Sequence, residues 1–193
     1  MTAARSILLL VAAGALAHPA IASADGSAGA ETTRNGWSMG GTLHRFQDDF
    51  GIGGLLASPL FLGGRLRVAV AGGVAWYPYA TDEAGLQEWS PYGDLRLVIE
   101  GGDRAAGSPV RLYGFGGPML ILLPGDLSDQ SVSVGGIGGF GFEYYFTSTG
   151  ADGPVSYFTE LGGVGGSARA DQLSGEPLLA NGFFVTVGLR WTL

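Results

Sequence analysis

The sequence predicts an all-β chain, closed into an antiparallel up-and-down barrel of about eight strands that crosses a membrane. Three observations carry this. Segments that alternate apolar and polar residues recur along the chain, many of them longer than the ~5–6 residues of an ordinary strand. Gly accounts for 36 of 193 residues with no Gly-X-Y period, while apolar residues reach 46% and aromatics 11%, a mixture suited to strands that bend and pack closely and not to collagen or a disordered chain. Beyond an N-terminal leader, no apolar run reaches the ~18 residues that a spanning helix needs. A membrane passage would then require a closed barrel, the other structure that satisfies its own backbone in lipid.

The leader is residues 1–24. Arg5 supplies a positive start, Ile7 to Ala17 is an unbroken run of apolar or small residues, and Ala22-Ser23-Ala24 fits the small-x-small cleavage rule, with Asp25 as the first mature residue. No Cys follows the cleavage site, which excludes a lipoprotein, and the absence of Cys throughout excludes a disulfide framework. Lys is absent too, so all ten basic residues are Arg, the better partner for buried ion pairs. The net charge of −7, without a basic patch, argues against nucleic acid as a partner.

Residues 25–35 are small and polar and are expected to form a flexible periplasmic tail. The barrel is expected over residues 36–193. Its first strand runs from Gly36 to Gln47, with Trp37, Met39 and Leu43 on one face and Ser38, Gly40, Thr42 and His44 on the other. The second runs from Phe50 to Phe61; its faces are ambiguous, and Pro59 marks an edge, a bulge or the strand end. The third, Arg65 to Tyr77, puts Leu66, Val68, Val70, Val74 and Trp76 toward lipid and Arg67, Ala69, Ala71, Gly73 and Ala75 inward. Pro78 to Gln87 reads as an acidic loop. The fourth, Glu88 to Gly101, puts Leu95, Leu97 and Ile99 out and Asp94, Arg96, Val98 and Glu100 in.

The fifth strand, Pro109 to Leu123, turns Val110, Leu112, Leu120 and Leu122 out and Arg111, Tyr113, Phe115 and Met119 in. The sixth, Gln130 to Phe146, turns out Val132, Val134, Phe140, Phe142, Tyr144 and Phe146, leaving Gly135, Gly139, Gly141 and Glu143 inside. Thr147 to Pro154 reads as a turn. The seventh, Val155 to Ala168, has Val155, Tyr157 and Leu161 out and Ser156, Phe158, Glu160 and Gly162 in. The connection Arg169 to Leu179 is the longest.

The last strand, Asn181 to Leu193, is the clearest: Phe183, Val185, Val187, Leu189, Trp191 and Leu193 alternate with Phe184, Thr186, Gly188, Arg190 and Thr192. It resembles the C-terminal strand of a bacterial outer-membrane β-barrel, although it ends Trp191-Thr192-Leu193 where those strands end in Phe or Trp. The whole barrel region resembles the small OmpA- and OmpX-type proteins. The resemblance implies insertion into the outer membrane by the periplasmic assembly machinery acting on the terminal strand. It also implies contact with outer-membrane lipids and lipopolysaccharide, a monomer, and no cofactor. An even strand count returns both termini to the periplasm and makes the connections at Asp48, Thr81, Asp126 and Gln172 extracellular. Trp37, Trp76, Tyr144, Phe146, Tyr157 and Trp191 fall near strand ends, where aromatic girdles meet the membrane–water interfaces.

The inward set contains Arg67, Asp94, Arg96, Glu100, Arg111, Glu143, Glu160 and Arg190. Four bases and four acids in a barrel just wide enough for its own side chains read as a structural ion-pair network filling the lumen; a gated channel would use the same residues. His44 is the single His after the leader. Outer-membrane lipid A deacylases carry a Ser two residues after such a His, where this chain has Phe46. Outer-membrane proteases pair a His with carboxylates on a larger barrel, where this chain has consecutive Asp48 and Asp49. No catalytic residue is therefore assigned. The glycine runs at Gly135–Gly139 and Gly162–Gly166 lack the Lys-Ser or Lys-Thr of a phosphate loop, and the spacing of a metal site is missing. Asp82, Glu83 and Glu88 could meet a divalent cation but read as a solvated loop. The expected role is a non-catalytic integral outer-membrane protein with a structural or surface-interaction function. The alternatives are an enzyme acting on lipid A or peptides with His44 as base, or a narrow gated pore.

Overall fold

The computed structural model describes residues 35–82, 84–104, 108–148 and 151–193. The leader and all but the last residue of the tail lie outside the described residues. Eight strands follow in order: β1 (Ser38–Phe46), β2 (Asp49–Ala57), β3 (Leu66–Ala80), β4 (Gln87–Arg104), β5 (Val110–Leu122), β6 (Val132–Ser148), β7 (Ala151–Gly166) and β8 (Gly182–Thr192). Each pairs antiparallel with the next, and β8 returns to β1 from Ser38↔Thr192 to Phe46↔Phe184, closing the barrel. Closure leaves the wall without a free edge, which is the condition for a sheet to survive in a solvent that cannot hydrogen-bond. No helix among the described residues is long and apolar enough to cross a membrane.

The period-two alternation is turned inside out relative to a water-soluble fold. Leu97, Ile99, Leu112 and Phe140 stand 47–66% exposed on the outer wall, while Arg111, Arg190, Glu100 and Glu143 inside are each 1% exposed. The second strand, ambiguous in sequence, presents Phe50, Ile52 and Leu56 outward, each about half exposed. Gly51, Gly53 and Gly54 had masked its period, and the register with its neighbours settles it: Ile52 sits beside Leu43 on β1 and Val74 on β3, and cross-strand partners share a face.

Several boundaries move. β2 stops at Ala57, and Pro59, with no amide to donate, lies beyond it. The supposed acidic loop, Pro78 to Gln87, is shorter than expected: Pro78 to Ala80 belong to β3 and Gln87 to β4. β3 and β4 pair as far as Ala80↔Gln87, whereas β2 joins only from Phe50↔Trp76 and β5 only from Gly93↔Leu122. This hairpin therefore stands beyond the barrel with two free edges, one carrying Pro78 and the other Pro91, an arrangement that blocks strand addition. β7 begins at Ala151, inside the predicted turn, because a register shift between Tyr145 and Thr147 absorbs the irregularity.

The two barrel ends differ. At the end carrying the connections 47–48, 81–86, 123–131 and 167–181, here the loop end, the β7–β8 connection folds back over the mouth. Ala168, Ala170, Leu179 and Ala180 are fully buried, and Leu127 from the β5–β6 connection is 1% exposed. Leu179 N donates to Ala168 O at 2.8 Å, Ala170 N to Pro177 O at 2.9 Å and Gln172 N to Leu127 O at 3.1 Å. These residues pack with Phe46, Phe184, Met119 and Ile121 into one apolar cluster. The mouth at the loop end is thus covered by apolar side chains.

Candidate functional site

Five charged residues from five strands meet in the terminal half of the lumen. Two pairs are local consequences of register: Arg67 on β3 lies directly across from Glu100 on β4, and Arg111 on β5 directly across from Glu143 on β6. Arg190, arriving from β8, joins the two. Its Nη2 lies 2.7 Å from Glu100 Oε1 and its Nη1 lies 3.1 Å from Glu143 Oε2. Arg111 reaches Glu100 at 3.2 Å and Arg67 reaches Glu143 at 3.3 Å. Glu143 also accepts the hydroxyls of Ser156 at 2.7 Å and Tyr145 at 2.9 Å. A carboxylate so enclosed persists only because each lone pair meets a donor.

Three guanidinium groups and two carboxylates leave one positive charge in this cluster. The sequence reading placed Glu160 among the ion pairs, and the structure corrects it. Glu160 accepts the Tyr113 hydroxyl at 3.0 Å and forms no ion pair among the described residues. Tyr113 in turn lies under the Arg111 guanidinium, 5.0 Å from its ring centroid. Tyr113 therefore links Glu160 to the arginine cluster by a hydrogen bond and a ring contact, a link that spacing along the strands does not reveal.

The remaining pair is separate. Arg96 Nε lies 2.8 Å from Asp94 Oδ1, both on β4, and His44 Nε2 on β1 lies 3.4 Å from Asp94 Oδ2. The His44 Nδ1 faces Arg96 at 3.4 Å. The His44 ring also packs against Phe46, with centroids 4.8 Å apart, and His44 is 2% exposed. Its room comes from Gly51 across the β1–β2 ladder, where a Cβ would fall 2.0 Å from His44 Nε2. Gly188 does the same for Phe158, the ring on which Arg190 stacks at 4.9 Å. Gly51→Ala should therefore cost about 1–3 kcal/mol by overpacking; the midpoint of urea unfolding in lipid vesicles measures it.

Between the two charged groups is a cavity of about 30 Å³, lined by Thr42, Arg96, Glu160, Thr186 and Arg190 among others. That volume admits about one or two water molecules. At the loop end, Asp49 forms a third polar group. Its Oδ2 accepts the Ala180 amide at 2.9 Å and the Tyr92 hydroxyl in a short hydrogen bond. Sequence reasoning saw Asp49 only as a turn residue; the contact to Ala180 spans 131 positions. Asp49 thereby fastens the lid to the barrel wall. Asp49→Ala removes a charged acceptor worth about 1.5–3 kcal/mol. Trypsin cleavage after the exposed Arg169 should rise on the order of tenfold, the factor that ~1.4 kcal/mol corresponds to.

The other sequence candidates fall elsewhere. Trp37, Trp191, Tyr144, Phe146 and Tyr157 all face outward near the terminal end, and Trp76 faces outward near the loop end. Phe50, Trp89 and Phe183, absent from the sequence list, join Trp76 there, half exposed. The glycine runs lie within β6 and β7, opposite each other at Gly139↔Gly162, and form no phosphate cradle. Asp82 is exposed, Glu83 lies outside the described residues, and Glu88 accepts the Tyr79 hydroxyl at 2.8 Å. Among the described residues, no group of three or more His, Asp or Glu is placed to hold a metal.

No protein-family profile and no curated protein matches this chain. Among solved structures, the chain is similar to the crystal structure of the N-terminal β-barrel domain of Pseudomonas aeruginosa OprF. The likeness covers 83% of this chain and 98% of that one, with 17% sequence identity and a TM-score of 0.53. At that identity it is a likeness of fold: a closed eight-stranded antiparallel barrel of the OmpA type.

Proposed function

We propose that this chain is an integral outer-membrane protein, exported through a cleaved leader. Its termini would face the periplasm and its lidded loop end the exterior. Its role is structural or one of surface interaction, without catalysis. The observation that carries this reading is the inverted wall: large apolar side chains stand open on the outside while eight charged residues are enclosed. In water such a wall would be an aggregating surface many times larger than any patch a soluble monomer tolerates. In a bilayer it matches its solvent, with aromatic residues toward both ends at the interfaces. The enclosure of His44 under Phe46 supports a non-catalytic role. The lid, the two charged clusters and the small cavity between them support a closed barrel over an open pore.

Membrane fractionation with heat-modifiable gel mobility tests the class. The folded protein should sediment with outer membranes and migrate faster unheated than boiled. A soluble periplasmic band without a mobility shift would refute it. Activity on labelled lipid A, compared with His44→Ala, tests the enzyme alternative: turnover that depends on His44 would overturn the non-catalytic reading.

A further inference from the structure

The β2–β3 turn at the terminal end presents a large apolar residue, Leu62, in a conformation that disfavours it. Leu62 has φ of 51°, in the left-handed region, and the next two residues, Gly63 and Gly64, share it at 72° and 81°. Glycine occupies that region freely, whereas a side chain there is crowded by its own backbone. Leu62 is nevertheless a leucine, and at 69% it is the most exposed large apolar side chain among the described residues. Its neighbour Phe61 is 43% exposed.

Register says which way the turn faces. Phe61 pairs with Leu66 in an isolated bridge, through Phe61 N→Leu66 O at 2.8 Å and Leu66 N→Phe61 O at 3.1 Å. Antiparallel partners share a face, and Leu66 belongs to the outward row that continues through Val70 and Val74. Phe61 therefore extends the apolar outer wall past the end of β3. The turn is also held in place. The Asn35 side chain donates to Leu60 O at 2.8 Å and accepts Leu60 N at 2.6 Å. Asn35 lies two residues before Trp37, whose carbonyl takes the Leu193 amide at 2.8 Å. The turn is thus tied to the outward aromatics of the terminal end. Close by, Arg65 and Asp103 form a pair at 3.3 Å with side chains 67% and 65% exposed, the first charged pair beyond the apolar row.

We infer that this turn is an interfacial anchor: Phe61 and Leu62 insert into the periplasmic leaflet at the boundary of headgroups and acyl chains, and the Arg65–Asp103 pair stays in the headgroup layer. The occupant is lipid because the turn is continuous with the lipid-facing wall. Transfer of two apolar side chains out of water offsets the unfavourable backbone at Leu62. This inference rests on the membrane reading proposed above.

The chain has no Cys, so a single nitroxide can be placed without background. Leu62→Cys, labelled and refolded into phosphatidylcholine vesicles, is probed by collision with oxygen and with a water-soluble nickel chelate. Leu97→Cys on the outer wall and Ser174→Cys in the lid connection are the references. The label at position 62 should collide with the chelate several-fold less often than at 174 and should lie at a depth between the two references. Phe61→Cys should behave as position 62 does. Chelate collisions at 62 and 61 as frequent as at 174, with position 97 still protected, would overturn the anchor and leave the membrane reading standing. An aqueous signal at 97 as well would remove the membrane reading, and the anchor with it.

Discussion

Glu143→Ala should destabilise the folded protein by about 3–5 kcal/mol, the loss that follows when one partner of a buried ion pair is deleted and its counter-charges stay behind. Glu143 is the most heavily engaged acid in the lumen. It meets Arg67 and Arg190 at 3.3 and 3.1 Å and accepts two hydroxyls. Without it, three guanidinium groups share the single carboxylate of Glu100, in a space with no bulk water. Glu143→Gln separates charge from shape: it keeps the amide-sized volume and an acceptor for Tyr145 or Ser156, yet should recover only a minor part of the loss. The contrast is Arg169→Ala. Arg169 pairs with Glu176 at 2.7 Å, but both side chains are more than half exposed, and the change should cost at most ~1 kcal/mol. Urea titrations of vesicle-refolded variants, followed by Trp fluorescence, measure all three. Equal losses for Glu143→Ala and Arg169→Ala would mean the lumen cluster is hydrated and weak.

Leu97→Arg should cost about 2–4 kcal/mol when the protein is folded into a bilayer, the depth-dependent penalty of a charge on the lipid face near mid-wall. Leu97 is mid-strand on β4, opposite Val70, and 47% exposed. Its exposure makes the prediction sharp. In a soluble fold an exposed Leu→Arg change is nearly neutral, usually within ±0.5 kcal/mol. The same arginine at Ser174, in the lid connection, should fall within that range. A loss at 174 equal to that at 97 would show that the outer wall does not face lipid.

The inward and outward rows of β3, β4, β5 and β8 were legible from residue types alone. Each carries aliphatic, β-branched or aromatic residues at alternate positions, broken in places by Gly or Pro, and side chains two apart on a strand share a face. β2 was not legible, because Gly51, Gly53 and Gly54 carry no side chain to report a face; only pairing with β1 and β3 assigns one. The protruding β3–β4 hairpin was hidden for the opposite reason. Pro78 signals a loop in one dimension but sits without penalty on a free edge in three.

Of the lumen, the sequence by itself proposed most of the membership, Asp49 excepted: which charges point inward, and that four acids face four bases. Alternation decides the first and composition the second, and both are local properties of the chain. The tertiary structure decided the partners. Arg190 bridges Glu100 and Glu143 because barrel closure brings β8 across from β4 and β6. Glu160 is served by the Tyr113 hydroxyl instead of an arginine, and Asp49 holds a lid that begins more than a hundred residues later. Such contacts depend on which strands face each other through the barrel's interior, a relation set by closure and register and written in no single stretch of sequence.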